Sequence, residues 1–201
     1  MSDDSHEQKA IERANPSPKI LTIGHSTHPI EEFIALLCAH DVVELIDVRT
    51  VPRSRHNPQF NRDRLPGSLA EAGIAYIHWP DLGGLRHPRK DSRNTGWRNS
   101  GFRGFADYME TPEFGAALGS LMTRAEQTVG QSRIAIMCAE AVPWRCHRSL
   151  IADALTARGI PVGHIINEHP PELHRLTPFA RIEAGDVRYP AETETKQGRL
   201  F

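Results

Sequence analysis

Apolar positions along the chain fall into short continuous runs, separated by stretches with helical spacing. Lys19 to Gly24 (KILTIG) and Val42 to Val48 (VVELIDV) are runs of the kind that form strands buried on both faces. Between them, Pro29 to His40 sets Ile30, Phe33, Ile34, Leu37 and Cys38 on one helical stripe. A further helix is expected from Arg62 to Ala72, with Pro66 and Gly67 weakening its first half, and a strand from Ile74 to His78. The clearest helical pattern is Pro112 to Gln127: Thr111 suits the N-cap, Pro112 the first helical position, and Phe114, Leu118, Leu121, Met122 and Ala125 form an apolar face. Arg133 to Cys138 (RIAIMC) reads as a strand. Cys146 to Arg158 reads as a helix with Leu150, Ile151, Ala154 and Leu155 inward and Gly159 as its stop, and Val162 to Asn167 as a last strand. Strands alternating with helices predict an α/β protein, a single three-layer Rossmann-like domain with a mainly parallel sheet.

Two segments break this rhythm. Thr50 to Asn61 and Asp81 to Gly104 are long loops rich in Arg, Gly, Pro and Asn, and loops of such length in a compact domain are usually functional or disordered. They also change the meaning of the net charge, which is -1 for the whole chain. Between Arg49 and Arg103 ten arginines and Lys90 face four acidic residues, so that stretch alone carries a formal +7. Arginine forks match phosphate oxygens and aromatic faces stack on bases. Arg53, Arg55, Arg62, Arg86, Arg89, Arg93, Arg98 and Arg103, interleaved with Phe60, Trp79, Trp97 and Phe102, therefore suit a phosphate-bearing small molecule or a single-stranded nucleic acid. The competing reading is a solvated surface in a protein whose basic residues are mostly arginine.

The 201 residues suit one domain. Its expected limits are 20–180, between a mobile N-terminal tail at 1–19 and a C-terminal tail at 181–201, of which Ala191 to Phe201 read as mobile. No apolar run reaches the length of a membrane span and the start lacks a secretory h-region, so a cytoplasmic protein without a membrane partner is expected. Three cysteines are too few for a disulfide framework, which leaves free thiols, packing residues or metal ligands.

In open α/β sheets ligands bind outside the carboxyl ends of the strands, so the residues after each strand carry the candidate chemistry. The first strand exits into Gly24-His25-Ser26, the second into Asp47-Val48-Arg49 with Arg53 and Ser54 close behind, and the third leads to Leu82-Gly83-Gly84. The fourth ends in Cys138-Ala139-Glu140 and leads to Cys146-His147-Arg148. A thiol at a strand end facing a helix start, near His147 and Arg148, would be shifted towards its thiolate. The alternative is that Cys138 simply continues an apolar run. Glu140 and Asp47 are candidate acid and base groups, or else salt bridges that fasten the loops to the sheet. His25 could carry a proton. Ser26 could offer a hydroxyl or cap the helix near Pro29, and Gly83 and Gly84 could form an unusual turn near a ligand.

A phosphatase-like or rhodanese-like loop would need five residues between cysteine and arginine, and neither Arg145 nor Arg148 has that spacing from Cys138. A zinc set drawn from Cys138, Cys146, His147 and His25 lacks the paired short spacing of structural sites, so neither a metal nor a cofactor is assigned.

The strings Ile23-Gly24-His25-Ser26, Asp47-Val48-Arg49 with Pro52, Ser54 and Phe60, Leu82-Gly83-Gly84, and Cys138-Ala139-Glu140 with Cys146-His147-Arg148 resemble the domain of unknown function family DUF488 from about Ile20 to Glu168. The resemblance supports the fold and the location of a site and leaves the reaction open. The expected function is an enzyme acting on a phosphate-bearing substrate, a nucleotide or nucleic acid. Its catalytic candidates are Cys138, Glu140, Cys146, His147, Asp47 and His25, and its binding candidates Ser26, Arg49, Arg53, Ser54, Gly83, Gly84 and Arg148. The alternatives are a non-catalytic nucleic-acid-binding module and a metal-binding or redox-sensing thiol protein.

Overall fold

Strands β1 (Ile20–Gly24), β2 (Val42–Asp47), β3 (Ala75–His78), β4 (Arg133–Cys138) and β5 (Val162–His164) lie parallel, and a short β6 (Glu172–Leu173) pairs antiparallel to β5. The order across the sheet is β3-β2-β4-β1-β5-β6. These relations come from a computed structural model, which describes residues 17–191; the expected tails lie outside the described residues over 1–16 and 192–201.

Side chains alternate across each strand, so one sequence feeds two cores. Ile46, Val48, Ile134, Ile136 and Cys138 face α3 (Ser100–Met109), α4 (Pro112–Glu126) and α5 (Arg148–Ala157). Leu45, Ala135 and Met137 face α1 (Ile30–Ala39) and α2 (Leu65–Glu71) on the other side. A mainly parallel sheet covered on both faces is the three-layer, Rossmann-like arrangement expected from the alternation of elements.

The caps explain several boundaries. Thr111 accepts a hydrogen bond from the Phe114 N–H at 3.3 Å and opens α4, with Pro112 in the first turn. Pro66 likewise falls in the first turn of α2, where a missing N–H is harmless, so the helix starts at Leu65 rather than Arg62.

Four expectations differ from the structure. Cys38 is exposed, because the stripe of α1 that meets the sheet is centred on Phe33 and Leu37. Residues 100–104, expected to be loop, begin α3, whose N-cap Asn99 accepts from the N–H groups of Gly101 and Phe102 at 2.8 and 3.2 Å. Gly104 sits there because a Cβ would collide with the Arg86 carbonyl. Cys146 and His147 precede α5 rather than lying in its first turn, since Pro143–Arg145 forms a separate 3-10 turn and Cys146 leaves it with extended backbone. Finally, residues 181–191 belong to the folded body. Strands β7 (Arg181–Glu183) and β8 (Asp186–Arg188) form a hairpin across Ala184 and Gly185, both left-handed at φ 51° and 87°. The hairpin is pinned by the buried Tyr189, whose hydroxyl donates to Asp153 Oδ2 at 2.8 Å.

Candidate functional site

The rim of the sheet is built by strands that continue briefly beyond their ends. The His25 N–H donates to the Cys138 carbonyl and the Ser26 N–H to the Ala139 carbonyl, both at 3.0 Å, so the exits of β1 and β4 stay side by side. Gly24 makes this possible: a Cβ there would occupy the position of the Glu140 carbonyl oxygen. Ser26 then turns with φ 46°, a left-handed conformation that is uncommon for serine. It does not cap α1, whose N-cap is Pro29 without a side-chain bond.

Around this rim a cavity of about 410 Å³ is lined by His25, Ser26, Arg49, Arg53, Ser54 and Glu140. Six of the expected site residues therefore share one wall. Arg53 and Glu140 are exposed, and Arg53 forms no ion pair among the described residues. Ser54 Oγ accepts from the Asn57 N–H at 3.0 Å, while the Ser54 N–H donates to Asn61 Oδ1 at 2.6 Å, which folds the loop after β2 back towards the rim.

Beneath the wall lies a fixed network. Arg49 donates through Nε to Asp47 Oδ1 at 2.8 Å and through Nη2 to Asp47 Oδ2 and to the Phe60 carbonyl, each at 2.6 Å. Tyr76 adds its hydroxyl to Asp47 Oδ2 at 2.8 Å, and burial together with the Asp47 charge pushes the Tyr76 pKa up. Arg49 Nη1 also donates to His25 Nε2 at 3.2 Å. Guanidinium can only donate, so Nε2 is unprotonated; His25 Nδ1 therefore carries the proton and donates to the Ser26 carbonyl at 2.9 Å. His25 is thus a neutral ring with both nitrogens hydrogen-bonded, stacked on Phe60 at 4.3 Å.

Arg148, Cys138, Cys146 and His147 sit behind the cavity, on the α5 side of the sheet. Arg148 is fully buried: Nη1 donates to the Glu140 carbonyl at 2.6 Å and to Cys138 Sγ at 2.7 Å, and Nη2 to the Ala141 carbonyl at 2.8 Å. Its fork is committed to the loop that carries Glu140, and burial lowers its pKa to about 10. The sulfurs of Cys138 and Cys146 are in bonding contact, which leaves Cys38 as the free cysteine where unpaired thiols were expected. Strand end and turn fold back on each other there, and both residues belong to the core under α5. Gly83 and Gly84 have no left-handed backbone; they are small because Cβ atoms would strike Thr50 and the His147 ring. No group of three or more His, Cys, Asp or Glu comes together as a metal site among the described residues. No described helix is long and apolar enough to cross a membrane.

Two features escaped the sequence. A buried chain runs from the Thr22 hydroxyl to His164 Nδ1, from His164 Nε2 to His174 Nδ1, and from His174 Nε2 to Asp153 Oδ1, with steps of 2.8, 2.9 and 2.8 Å. Asp107 gathers the Arg89 N–H, Ser92 Oγ and Asn94 Nδ2 and so shapes the second long loop. That loop spends part of its charge internally: Arg89 pairs with Glu110, and Arg86 lies 3.7 Å above the Tyr108 ring.

Burial lowers the pKa of His25 and of His147 to about 4 and that of His164 to about 3, from 6.5. Each stays neutral in the folded protein while its unfolded counterpart takes up a proton as pH falls below 6.5. Stability is therefore fully present above that pH and is lost as it falls towards 4, by about 1.4 kcal/mol per pH unit for each histidine. Urea midpoints are expected to drop between neutral pH and about pH 5; equal midpoints would contradict the burial of these rings.

A family model described as "Domain of unknown function DUF488" matches residues 29–155, which includes α1 to most of α5. Comparison with curated proteins and with solved structures returned no match.

Proposed function

As the chain belongs to the DUF488 family, whose description names no activity, we propose a function from the site alone: an enzyme that binds a phosphate-bearing substrate, a nucleotide or nucleic acid, at the carboxyl rim of its sheet. Arg53 holds the anion, assisted by the hydroxyls of Ser26 and Ser54. Arg49, held by Asp47, keeps His25 and the rim in register. Glu140 is the group at the cavity wall able to exchange a proton with the substrate. Arg148 supports the Glu140 loop from behind through the Glu140 and Ala141 carbonyls, with Cys138, Cys146 and His147 packed on the same side of the sheet.

The observation that carries this reading is the cavity of about 410 Å³, with Arg53 free of an ion pair among the described residues and Glu140 lining the same wall. A cation without a carboxylate partner at a strand-exit cavity is available to a ligand anion, and a charge-assisted bond from arginine to phosphate is among the stronger polar contacts.

Calorimetric titration with inorganic pyrophosphate tests it. Wild-type protein is expected to bind, Arg53→Ala to bind about tenfold or more weakly, and Glu140→Gln to bind more tightly because a like charge leaves the wall. Equal affinity for wild type and Arg53→Ala would remove the phosphate site from this cavity.

A further inference from the structure

We propose that the neighbouring cavity of about 810 Å³ is a nucleobase subsite, with Trp144 as its stacking face. This rests on the phosphate reading of the smaller cavity, and it defines the substrate as one containing a nucleotide unit, either free or within a single strand.

The two cavities share a loop. Ala139, Glu140 and Ala141 line the smaller one, and Pro143 and Trp144 line the larger. Ala141 and Pro143 are two residues apart, so their Cα atoms lie within about 7 Å of each other, a separation that a single sugar-phosphate unit can bridge. Arg148 fixes this loop through the carbonyls of Glu140 and Ala141, which keeps both walls in register.

Trp144 is 66% exposed and stacks on no ring among the described residues. Trp97, by contrast, has one face covered by Phe102 at 4.6 Å and meets Phe179 edge-on at 4.9 Å. Trp97 and Phe179 thus form a rigid apolar wall of the same cavity, and Trp144 is the tryptophan with a face left open. Glu172 and Arg175 also line it, one accepting and one donating, as the edge of a base requires. The ring nitrogens of His164 and His174 are consumed by the chain from Thr22 to Asp153 and act only as wall. An open tryptophan face beside an arginine-lined cavity is the pairing by which single strands are held, by stacking and by phosphate contact.

The test compares a labelled short oligothymidylate with the same strand made abasic, by fluorescence anisotropy, on wild type and Trp144→Ala; the exposed position lets the variant fold. Wild type is expected to prefer the intact strand by about 5- to 100-fold, and Trp144→Ala to lose most of that preference. Thymidine monophosphate as competitor identifies the source: displacement at comparable concentration supports a free nucleotide, and displacement by the strand alone supports a strand. Equal binding of intact and abasic strands by wild type, or an undiminished preference in Trp144→Ala, would overturn the base subsite. Pyrophosphate binding that is weakened by Arg53→Ala would then still leave the phosphate reading standing, so the two failures are separable.

Discussion

Replacing Asp47 with alanine is expected to lower folding stability by about 3–5 kcal/mol, because it leaves the Arg49 guanidinium buried without its carboxylate. Asp47 is completely buried, and both its oxygens are used, by Arg49 and by Tyr76. The effect should come chiefly from the orphaned charge rather than from lost volume. Changing Asp47→Leu together with Arg49→Met should therefore be less damaging than Asp47→Ala alone, since no unpaired ion remains. Urea denaturation of the single and double variants checks this. A double variant as unstable as the sum of its parts would show that the pair does not act as a unit.

Arg148→Ala is expected to destabilise by about 3 kcal/mol or more, since bonds from a charged donor to buried acceptors contribute about 1.5–3 kcal/mol each. It should also weaken pyrophosphate binding at a cavity that Arg148 does not line, because the Glu140–Ala141 carbonyls lose the fork that holds them. Arg148→Lys should not restore either property: a single ammonium cannot reproduce the planar fork over Glu140, Ala141 and Cys138. Thermal melts and calorimetry on both variants measure this. Lysine restoring wild-type values would reduce Arg148 to a simple positive charge.

The sheet was legible in the sequence because its strands are continuous apolar runs and its longest helix, α4, keeps an apolar face; Arg133 to Cys138 and the Thr111 cap of α4 are read directly. Helix α3 was not, since Gly101 and Gly104 argue against helix, and Gly104 is explained only by the Arg86 backbone packed on it. The hairpin at Arg181–Arg188 was hidden because it depends on Tyr189 reaching Asp153, 36 positions away in sequence. At the site, strand-exit logic brought His25, Ser26, Arg49, Arg53, Ser54 and Glu140 together. It could not tell which face of β4 Cys138 would take, because the alternation of inward positions looks the same on a strand covered by helices on both sides. Nor could arginine count distinguish Arg53, which is left without an ion pair among the described residues, from Arg89, which is spent on Glu110.

In the proposed function a phosphate anion seats on the carboxyl rim over β1, β2 and β4. Backbone amide NMR shifts during a pyrophosphate titration test it most directly, because they locate the ligand without assuming a reaction. Saturating shifts are expected, concentrated at His25 to Thr27, at Arg49 to Asn57 and at Ala139 to Ala141, the segments that line the cavity. Shifts confined to the second arginine-rich loop around Arg93 and Arg98, with the rim unmoved, would contradict it.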